Sequence, residues 1–275
     1  MTNPARILFA GLLLAVAFAA RAAEPIAFVS DFKGEVVMNG AGRPPFLAEL
    51  IPGTKLVLGA EASAAVMYVV TGEEYSLKGP GEFVVAREGV KASKGAAPAV
   101  RTPAIKPGAA TMVQTSKTAT ASLRMRSAPT PRAERPGALY PVNAKVSTLQ
   151  PTLRWSGEAG ASYTVVVTTA AGKEIFRGAA KGNSLRLPAR LAPAQGYEWT
   201  SSLGNAVVAE ARFETLPADA ITAADKARVA AKSFPDRVLL ALSLQELGAA
   251  QDAKEVWAQL AAERPDIPEL KGLAR

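Results

Sequence analysis

The spacing of apolar residues divides the chain into two strand-like regions followed by one helical region. In residues 26–95, short apolar runs are interrupted by glycine at intervals of about 8 to 12 residues, which is typical of short strands joined by turns. Residues 65–70 and 73–77 flank Gly72. This arrangement predicts a tight hairpin at the centre of a sheet, because glycine tolerates positive φ. Residues 79–81 predict a second hairpin turn.

Strict alternation in the second region, residues 139–216, places large residues on one face of each strand. Leu153 and Trp155 share a face, as do Tyr163 and the alternate valines after it, so these residues are expected to line a core. The aromatic residues predicted to form this core are Trp155, Tyr163, Tyr197 and Trp199. The alternative is that the two tryptophans and Tyr197 form a platform for sugar rings, but the alternation favours core packing.

After the second region the apolar period changes to that of α-helices. Residues 222–225 have the spacing of a capping box and predict a helix that begins there and runs to Lys232. A second helix is expected over residues 238–247, followed by Gly248, which can adopt the left-handed conformation that ends helices. A third helix is expected from about residue 251 to residue 263.

The first residues have the pattern of a secretory signal peptide. Arg6 precedes an apolar run over residues 7–20, and small residues follow at Ala22 and Ala23, where cleavage is predicted. We therefore expect residues 1–22 to be removed and the mature protein to work in the periplasm, with no transmembrane segment. The alternative is that the leader remains as an anchor, but its apolar run is shorter than the roughly 20 residues that span a bilayer.

The composition excludes most catalytic chemistries. The chain contains neither Cys nor His, which removes thiol nucleophiles, imidazole bases and most metal ligands. Paired carboxylates, Ser-Lys chemistry and carboxylate metal sites remain. Glu73 and Glu74 are adjacent in a strand and point to opposite faces, and Ser30 and Lys33 lie between predicted strands rather than at a helix start. We therefore predict no enzyme activity, no catalytic residue, no metal site and no cofactor.

Positive charge is concentrated in one stretch. The formal net charge is +8, and the stretch from Arg87 to Arg135 holds ten basic residues and two acidic ones. Because that stretch is also poor in large apolar residues, residues 96–137 are predicted to be a linker, in which residues 118–125 alternate enough to form an edge strand. The alternative is an electrostatic tether to an anionic envelope surface. Nucleic acid is not an expected partner, since the stretch has no aromatic residue for base stacking.

The turns of the first region follow a recognisable order. A Gly-x-Val strand at residues 34–36 precedes a Leu-x-x-Gly-x-x-Leu turn at residues 50–56, a strand of small and apolar residues at 63–66 and a glycine-led hairpin at 72–77. This order resembles the periplasmic FecR-like domain. The resemblance implies a β-sandwich or roll over residues 24–95 that senses or binds a partner protein.

Residues 191–197 have the sequence Leu-x-Pro-x-x-x-Tyr, and Trp199 follows two positions later. This stretch is similar to the tyrosine corner of fibronectin type III domains. The similarity implies that residues 138–216 form a β-sandwich and that the Tyr197 hydroxyl bonds the backbone upstream.

The helical region has apolar and small residues at the offsets of one tetratricopeptide unit. These residues are Leu240, Ala241, Leu244, Gly248, Ala253, Trp257 and Pro265. The resemblance implies that the small residues let two antiparallel helices approach closely, with Trp257 between them. Because a peptide groove needs about three stacked repeats, residues 217–275 are predicted to be a docking or capping element.

The sequence therefore predicts a mainly β protein. A FecR-like β-sandwich or roll is followed by a fibronectin type III-like β-sandwich and a small α-helical C-terminal segment. The expected function is non-catalytic binding or scaffolding in the cell envelope, where the β domains and the helical tail dock a protein partner. The alternative is a peptidoglycan- or polysaccharide-binding module that uses the basic linker and exposed aromatic residues.

Overall fold

The computed structural model describes residues 24–106 and 137–275. Within these residues, seventeen strands precede four helices. The predicted class, mainly β with a short helical C-terminal segment, is confirmed at this level. The predicted cleavage point at Ala22 and Ala23, the predicted edge strand at 118–125 and most of the predicted linker lie outside the described residues.

The first β unit, residues 24–106, is built from two antiparallel sheets. Its strands are β1 Ala27–Lys33, β2 Val36–Met38, β3 Glu49–Leu50, β4 Lys55–Leu58, β5 Ser63–Tyr68, β6 Glu74–Lys78, β7 Gly81–Ala86, β8 Gly89–Lys94 and β9 Ala99–Arg101. One sheet has the order β3-β1-β5-β6-β9 and the other β2-β4-β7-β8. Phe28 and Val66 from the first sheet share a core with Leu56 and Phe83 from the second. Burial of both inner faces therefore holds the two sheets together.

The hairpin predicted at Gly72 is present. Strand β5 pairs with β6, and Gly72 has a φ of +70° in the turn between them. Strand β5 is the third of five strands, which places the hairpin at the centre of its sheet. A glycine fits there because positive φ is unfavourable for other residues.

The hairpin turn predicted at residues 79–81 is wrong. Strands β6 and β7 belong to different sheets, so these residues carry the chain from one sheet to the other. The crossing brings Gly79 against Gly59, and a Cβ at Gly79 would lie 1.8 Å from the Gly59 carbonyl oxygen. Turn residues were recognised correctly, but the packing of the two sheets decides which strands the turn connects.

The first β unit also extends beyond the boundary predicted at residue 95. Strand β9 pairs with the edge of β6, with Val100 opposite Tyr75. Ile105 is buried in the same core. The first residues of the predicted linker are therefore ordered by pairing with an edge strand that would otherwise expose its backbone groups.

The second β unit, residues 137–216, also consists of two sheets. Its strands are β10 Ala138–Tyr140, β11 Ala144–Val146, β12 Thr152–Trp155, β13 Ser162–Thr169, β14 Glu174–Lys181, β15 Ser184–Arg186, β16 Gly196–Leu203 and β17 Ala206–Thr215. The sheet orders are β10-β12-β15 and β11-β17-β16-β13-β14, with β11 parallel to β17. Trp155 and Trp199 come from opposite sheets and are fully buried, with ring centroids 6.2 Å apart. This unit has its own aromatic core.

The helical unit, residues 217–275, contains α1 Ala218–Ala230, α2 Phe234–Glu246, α3 Ala250–Glu263 and α4 Glu269–Leu273. The capping box predicted at residues 222–225 is wrong, because Thr222 lies inside α1 and its hydroxyl donates to the Ala218 carbonyl at 2.8 Å. The capping box is formed instead by Ser233 and Asp236 at the start of α2. A Thr hydroxyl can bond back to a carbonyl one turn earlier, so spacing alone does not mark a helix start.

The helical unit contacts both β units. Its apolar residues share one continuous core with the first β unit. The Phe46 ring meets the rings of Phe234 and Trp257 edge-on, with centroid distances of 6.3 Å in both cases. Leu149 of the second β unit packs against both cores. The helices therefore connect the β units rather than extending from them as a tail.

Candidate functional site

A groove of about 720 Å³ lies where the second β unit meets the helical unit. The outer face of the three-stranded sheet forms one wall, and α1, α2 and α3 form the other. The residues that line it include Tyr140, Thr152, Arg154, Arg186, Asp225, Arg228, Arg237, Leu240, Leu244, Asp252, Glu255, Val256 and Gln259. The site therefore combines residues from two units that the apolar pattern separates.

Strand alternation makes the sheet wall polar. In β12 two side chains point into the core, while Thr152 and Arg154 are exposed on the outer face. Thr152 pairs directly with Arg186 of β15, so Arg186 projects from the same face. The Arg154 guanidinium lies over the Tyr140 ring, 4.9 Å from its centroid. Two cations are thus presented to the groove from adjacent strands.

Helical spacing makes the opposite wall partly apolar. Arg237, Leu240 and Leu244 are three and four residues apart in α2, which places them on one face of the helix. Val256 of α3 continues the apolar surface, and Arg228 of α1 stands at the same wall. Leu240 and Leu244 are 6% and 1% exposed, so they border the groove but expose little apolar surface to it.

A buried polar network joins the two walls. The carboxylate of Asp252 is 7% exposed and accepts from the Tyr140 hydroxyl at 2.6 Å and from the Ser147 backbone N–H at 2.8 Å. The Ser147 hydroxyl donates to the same carboxylate. Arg228 lies 3.6 Å from Asp252 and donates to the Ser147 carbonyl at 3.1 Å. The network therefore links α1 and α3 to the second β unit.

The pKa of Tyr140 reflects this environment. Burial, followed by the negative charge of Asp252 and the hydrogen bond to it, raises the pKa of Tyr140 above its ordinary value. The raised pKa extends to more alkaline pH the range in which the hydroxyl is protonated and can donate to Asp252.

The charges in the groove are only partly balanced. Arg154 pairs with Glu255, Arg228 pairs with Asp225 at 3.0 Å, and Arg237 pairs with Glu263 at 2.5 Å. Arg186 forms no ion pair with any other residue that the structure describes. Its guanidinium is exposed on the sheet wall. The groove therefore offers a free cation beside arginines held by partly exposed carboxylates.

Ionic clusters also attach the helical unit to the first β unit. Arg101 of β9 donates two hydrogen bonds of 2.8 Å to the buried carboxylate of Glu74 and lies 2.9 Å from Asp236. Burial by itself would raise the pKa of Asp236, but hydrogen bonds from Ser233 and Arg101 together hold it below its ordinary value. The capping box of α2 is thus also part of the contact between the units.

Arg264, which follows α3, forms the second cluster. Its guanidinium donates to Asp31 at 2.5 Å, to the Phe32 carbonyl at 2.7 Å and to Asp266 at 2.8 Å. It also lies 5.2 Å from the centroid of the Phe234 ring. Hydrogen bonds to Asp266 and then to Asp31 outweigh burial and raise the pKa of Arg264. These contacts fix the end of α3 on β1.

The aromatic residues singled out from the sequence lie in the core of the second β unit. The exposed fractions of Trp155, Tyr163, Tyr197 and Trp199 are 0%, 2%, 2% and 0%. The Tyr197 hydroxyl accepts from the Ala192 N–H at 2.8 Å, and the Trp199 Nε1–H donates to the Pro141 carbonyl at 2.9 Å. In the part of the chain that the structure describes, no Phe, Tyr or Trp is exposed. The aromatic platform considered for sugar binding is therefore not formed there.

The residues of the predicted helical repeat separate into two groups. Ala241, Ala253 and Trp257 are fully buried between the helices and the first β unit. Leu240 and Leu244 belong to the same core, at 6% and 1% exposed, and also border the groove. The other two lie at helix ends. Gly248 adopts a φ of +83° between α2 and α3, and Pro265 follows the last turn of α3. This segment is packed on both β units and is not free to act as a separate docking arm.

Of the residues that line the groove, sequence reasoning singled out Leu240 and Leu244, and it assigned them to a helical repeat rather than to a groove. Alternation in β12 implies an outward-facing Arg154, and helical spacing implies a shared face for Arg237 and Leu240. Neither pattern reveals that these two faces oppose each other. The Tyr140–Asp252 hydrogen bond joins residues 112 positions apart, a distance at which local patterns carry no information.

Comparisons with known proteins do not assign this chain to a family. No protein-family model matches this sequence. No curated protein sequence matches it significantly. Neither described segment contains a helix with the length and apolarity needed to span a bilayer. No group of three or more carboxylates within residues 24–106 and 137–275 is arranged to hold a metal ion.

Proposed function

We propose that this protein is an exported, non-catalytic binding protein of the cell envelope that docks a protein partner in the groove between its second β unit and its helical unit. The groove itself carries the proposal. It is large, it is lined by four arginines, and a buried network holds its two walls together. A preformed groove of this size is a usual feature of binding sites.

The hydrogen bonding of Tyr197 supports a fibronectin type III-like assignment for the second β unit. Its hydroxyl bonds the backbone of Ala192, five residues upstream, which is the interaction expected of a tyrosine corner. For the first β unit, the two antiparallel sheets support a FecR-like sandwich. The Leu-x-x-Gly-x-x-Leu turn connects β3 with β4 there, and Gly53 has a φ of +91°.

The pairing of the groove carboxylates supports a non-catalytic role. Asp225, Asp252 and Glu255 each contact an arginine, so none of them is positioned as an unpaired acid or base. The chain also has no Cys and no His. The signal-peptide pattern of the leader supports export to the periplasm.

Photo-crosslinking in cells tests this function. A photoreactive amino acid would replace Gln259, which is exposed and lines the groove. The control position is Val70, which is 89% exposed on the hairpin of the first β unit. We expect one dominant envelope protein to be crosslinked from position 259 and not from position 70. Equal or diffuse products from both positions would contradict the proposal.

Co-sedimentation with purified cell-wall sacculi distinguishes the glycan-binding alternative. Electrostatic adhesion should weaken at about 0.3 M salt, where screening is effective over several ångströms. We expect little sedimentation at that salt concentration. Retention there, combined with no crosslinked protein, would favour the glycan-binding function instead.

A further inference from the structure

We propose that the groove binds an extended segment of the partner protein in which every second residue is acidic. This inference rests on the proposed function and specifies the chemistry of the ligand. It follows from the charges of the sheet wall and the geometry of an extended chain that lies in the groove.

The charge of the sheet wall selects anionic groups. Arg186 has no ion-pair partner among residues 24–106 and 137–275, and its guanidinium is exposed beside Thr152. Arg154 lies next to it and is paired with Glu255, but both side chains of that pair are partly exposed, at 44% and 41%. An exposed ion pair of this kind contributes little to stability, so Arg154 can exchange Glu255 for another carboxylate. A ligand carboxylate can therefore bind Arg186 and compete with Glu255 for Arg154.

The spacing of side chains in an extended chain selects alternate acidic residues. Successive side chains of an extended chain point in opposite directions. A strand lying between the two walls would thus direct every second side chain toward the arginines of the sheet wall. The helical wall adds little apolar surface, because Leu240 and Leu244 are 6% and 1% exposed and Val256 is half-buried. The groove therefore fits a segment in which every second residue is acidic.

The remaining part of this chain is a poor occupant. Residues 107–136, which lie outside the described residues, contain Lys117, Arg124, Arg126, Arg132 and Arg135 and one acidic residue, Glu134. A segment with that charge is repelled by the groove arginines rather than attracted. Charge complementarity therefore favours an acidic segment of another protein.

Fluorescence anisotropy with a defined peptide tests the proposal. The probe is a fluorescein-labelled peptide of about eight residues in which Glu and Val alternate, titrated with the mature protein at about 0.15 M salt. A control peptide replaces every Glu with Gln. We expect the acidic peptide to bind and the control peptide to bind at least about tenfold more weakly.

Charge reversal locates the binding site. Arg186→Glu should weaken binding at least about tenfold, because it replaces the free cation with an anion. Lys173→Glu makes the same change in net charge at an exposed position that does not line the groove, and it should alter affinity by less than about twofold. Both variants should keep the wild-type Tm, since neither residue is buried.

Three results would overturn this inference: no binding of the acidic peptide, equal binding of the Gln peptide, or equal weakening by the two charge reversals. Its failure is distinguishable from failure of the proposed function. A single partner crosslinked at position 259 without peptide binding would exclude an acidic alternating ligand and leave the docking function standing. Peptide binding without any crosslinked protein would support the ligand chemistry and contradict the proposed function in cells.

Discussion

The helical unit has two different joints with the β units. Toward the first β unit the joint is closed, because Phe46, Phe234 and Trp257 belong to one continuous core and Arg264 is bonded to β1. Toward the second β unit the joint is a buried polar network around Asp252, and beside that network the surfaces diverge to form the groove. The comparison shows how one small helical segment can share a core with one β unit and form a groove with the other.

The largest expected effect comes from removing the ring at the centre of the closed joint. Trp257→Ala should lower the free energy of unfolding by an amount near the upper end of about 3–5 kcal/mol, because the side chain is fully buried and leaves a cavity. The loss should affect the first β unit and the helices together, since they share a core. Urea denaturation combined with hydrogen exchange measures both quantities.

Trp199→Ala is the matched control for that change. It removes a fully buried ring of the same size from the separate core of the second β unit. We expect exchange to increase mainly in the second β unit for this variant. If Trp257→Ala left the protection of β1 and β5 unchanged, the shared core would not hold the first β unit to the helices.

The open joint, which is the contact between the helical unit and the second β unit, should be sensitive to the loss of Asp252. Asp252→Ala leaves the Tyr140 hydroxyl and the Ser147 N–H without their acceptor and removes one of the two carboxylates near Arg228. We expect the free energy of unfolding to fall by about 3 kcal/mol, because two buried donors lose their acceptor, with increased hydrogen exchange at the amides of α3 and β11. Asp225→Ala breaks a pair whose carboxylate is 63% exposed and should cost less than about 1 kcal/mol. Similar losses in the two variants would mean that the network does not secure this joint.

A smaller effect is expected inside the second β unit, away from both joints. Tyr197→Phe removes the acceptor of the Ala192 N–H and should lower the free energy of unfolding by about 1 kcal/mol. Peptide binding in the groove should not change, because Tyr197 lies in the core. An unchanged Tm in thermal denaturation would show that this hydroxyl does not stabilise the fold.

The smallest effect concerns the acid sensitivity of the closed joint. Because the pKa of Asp236 is lower in the folded protein than its ordinary value of 3.8, the folded state binds this proton less tightly than the unfolded state does. Its contribution to stability is present above that value and is lost as the pH falls through the folded pKa. Urea denaturation over a pH series should show a shallower acid decline for Asp236→Asn than for the wild-type protein. An identical slope in the two proteins would contradict this role for Asp236.

The separate elements were largely predictable from the sequence because their patterns are local. Alternation in β12 and β13 indicated which faces are buried, and the helical period placed α2 and α3 within a few residues of their observed ends. The capping box was misplaced, since Thr222 and Ser233 both satisfy a local spacing rule. Only the observed side-chain bonds distinguish them.

The relations between elements were not predictable in the same way. The turn at residues 79–81 has the composition of a hairpin, yet it joins two sheets, because the connection depends on packing. The groove depends on contacts such as Arg154 with Glu255, which are 101 residues apart. Arg154 could be predicted to face outward, but nothing near it in sequence indicates what it faces.

The most direct test of the groove as a docking site combines the crosslinking position with the charge reversal. The photoreactive residue at position 259 would be introduced into the wild-type background and into the Arg186→Glu and Lys173→Glu backgrounds in cells. Docking in the groove predicts one dominant crosslinked protein, lost with Arg186→Glu and retained with Lys173→Glu. The same crosslinked protein at equal yield in all three backgrounds would contradict it.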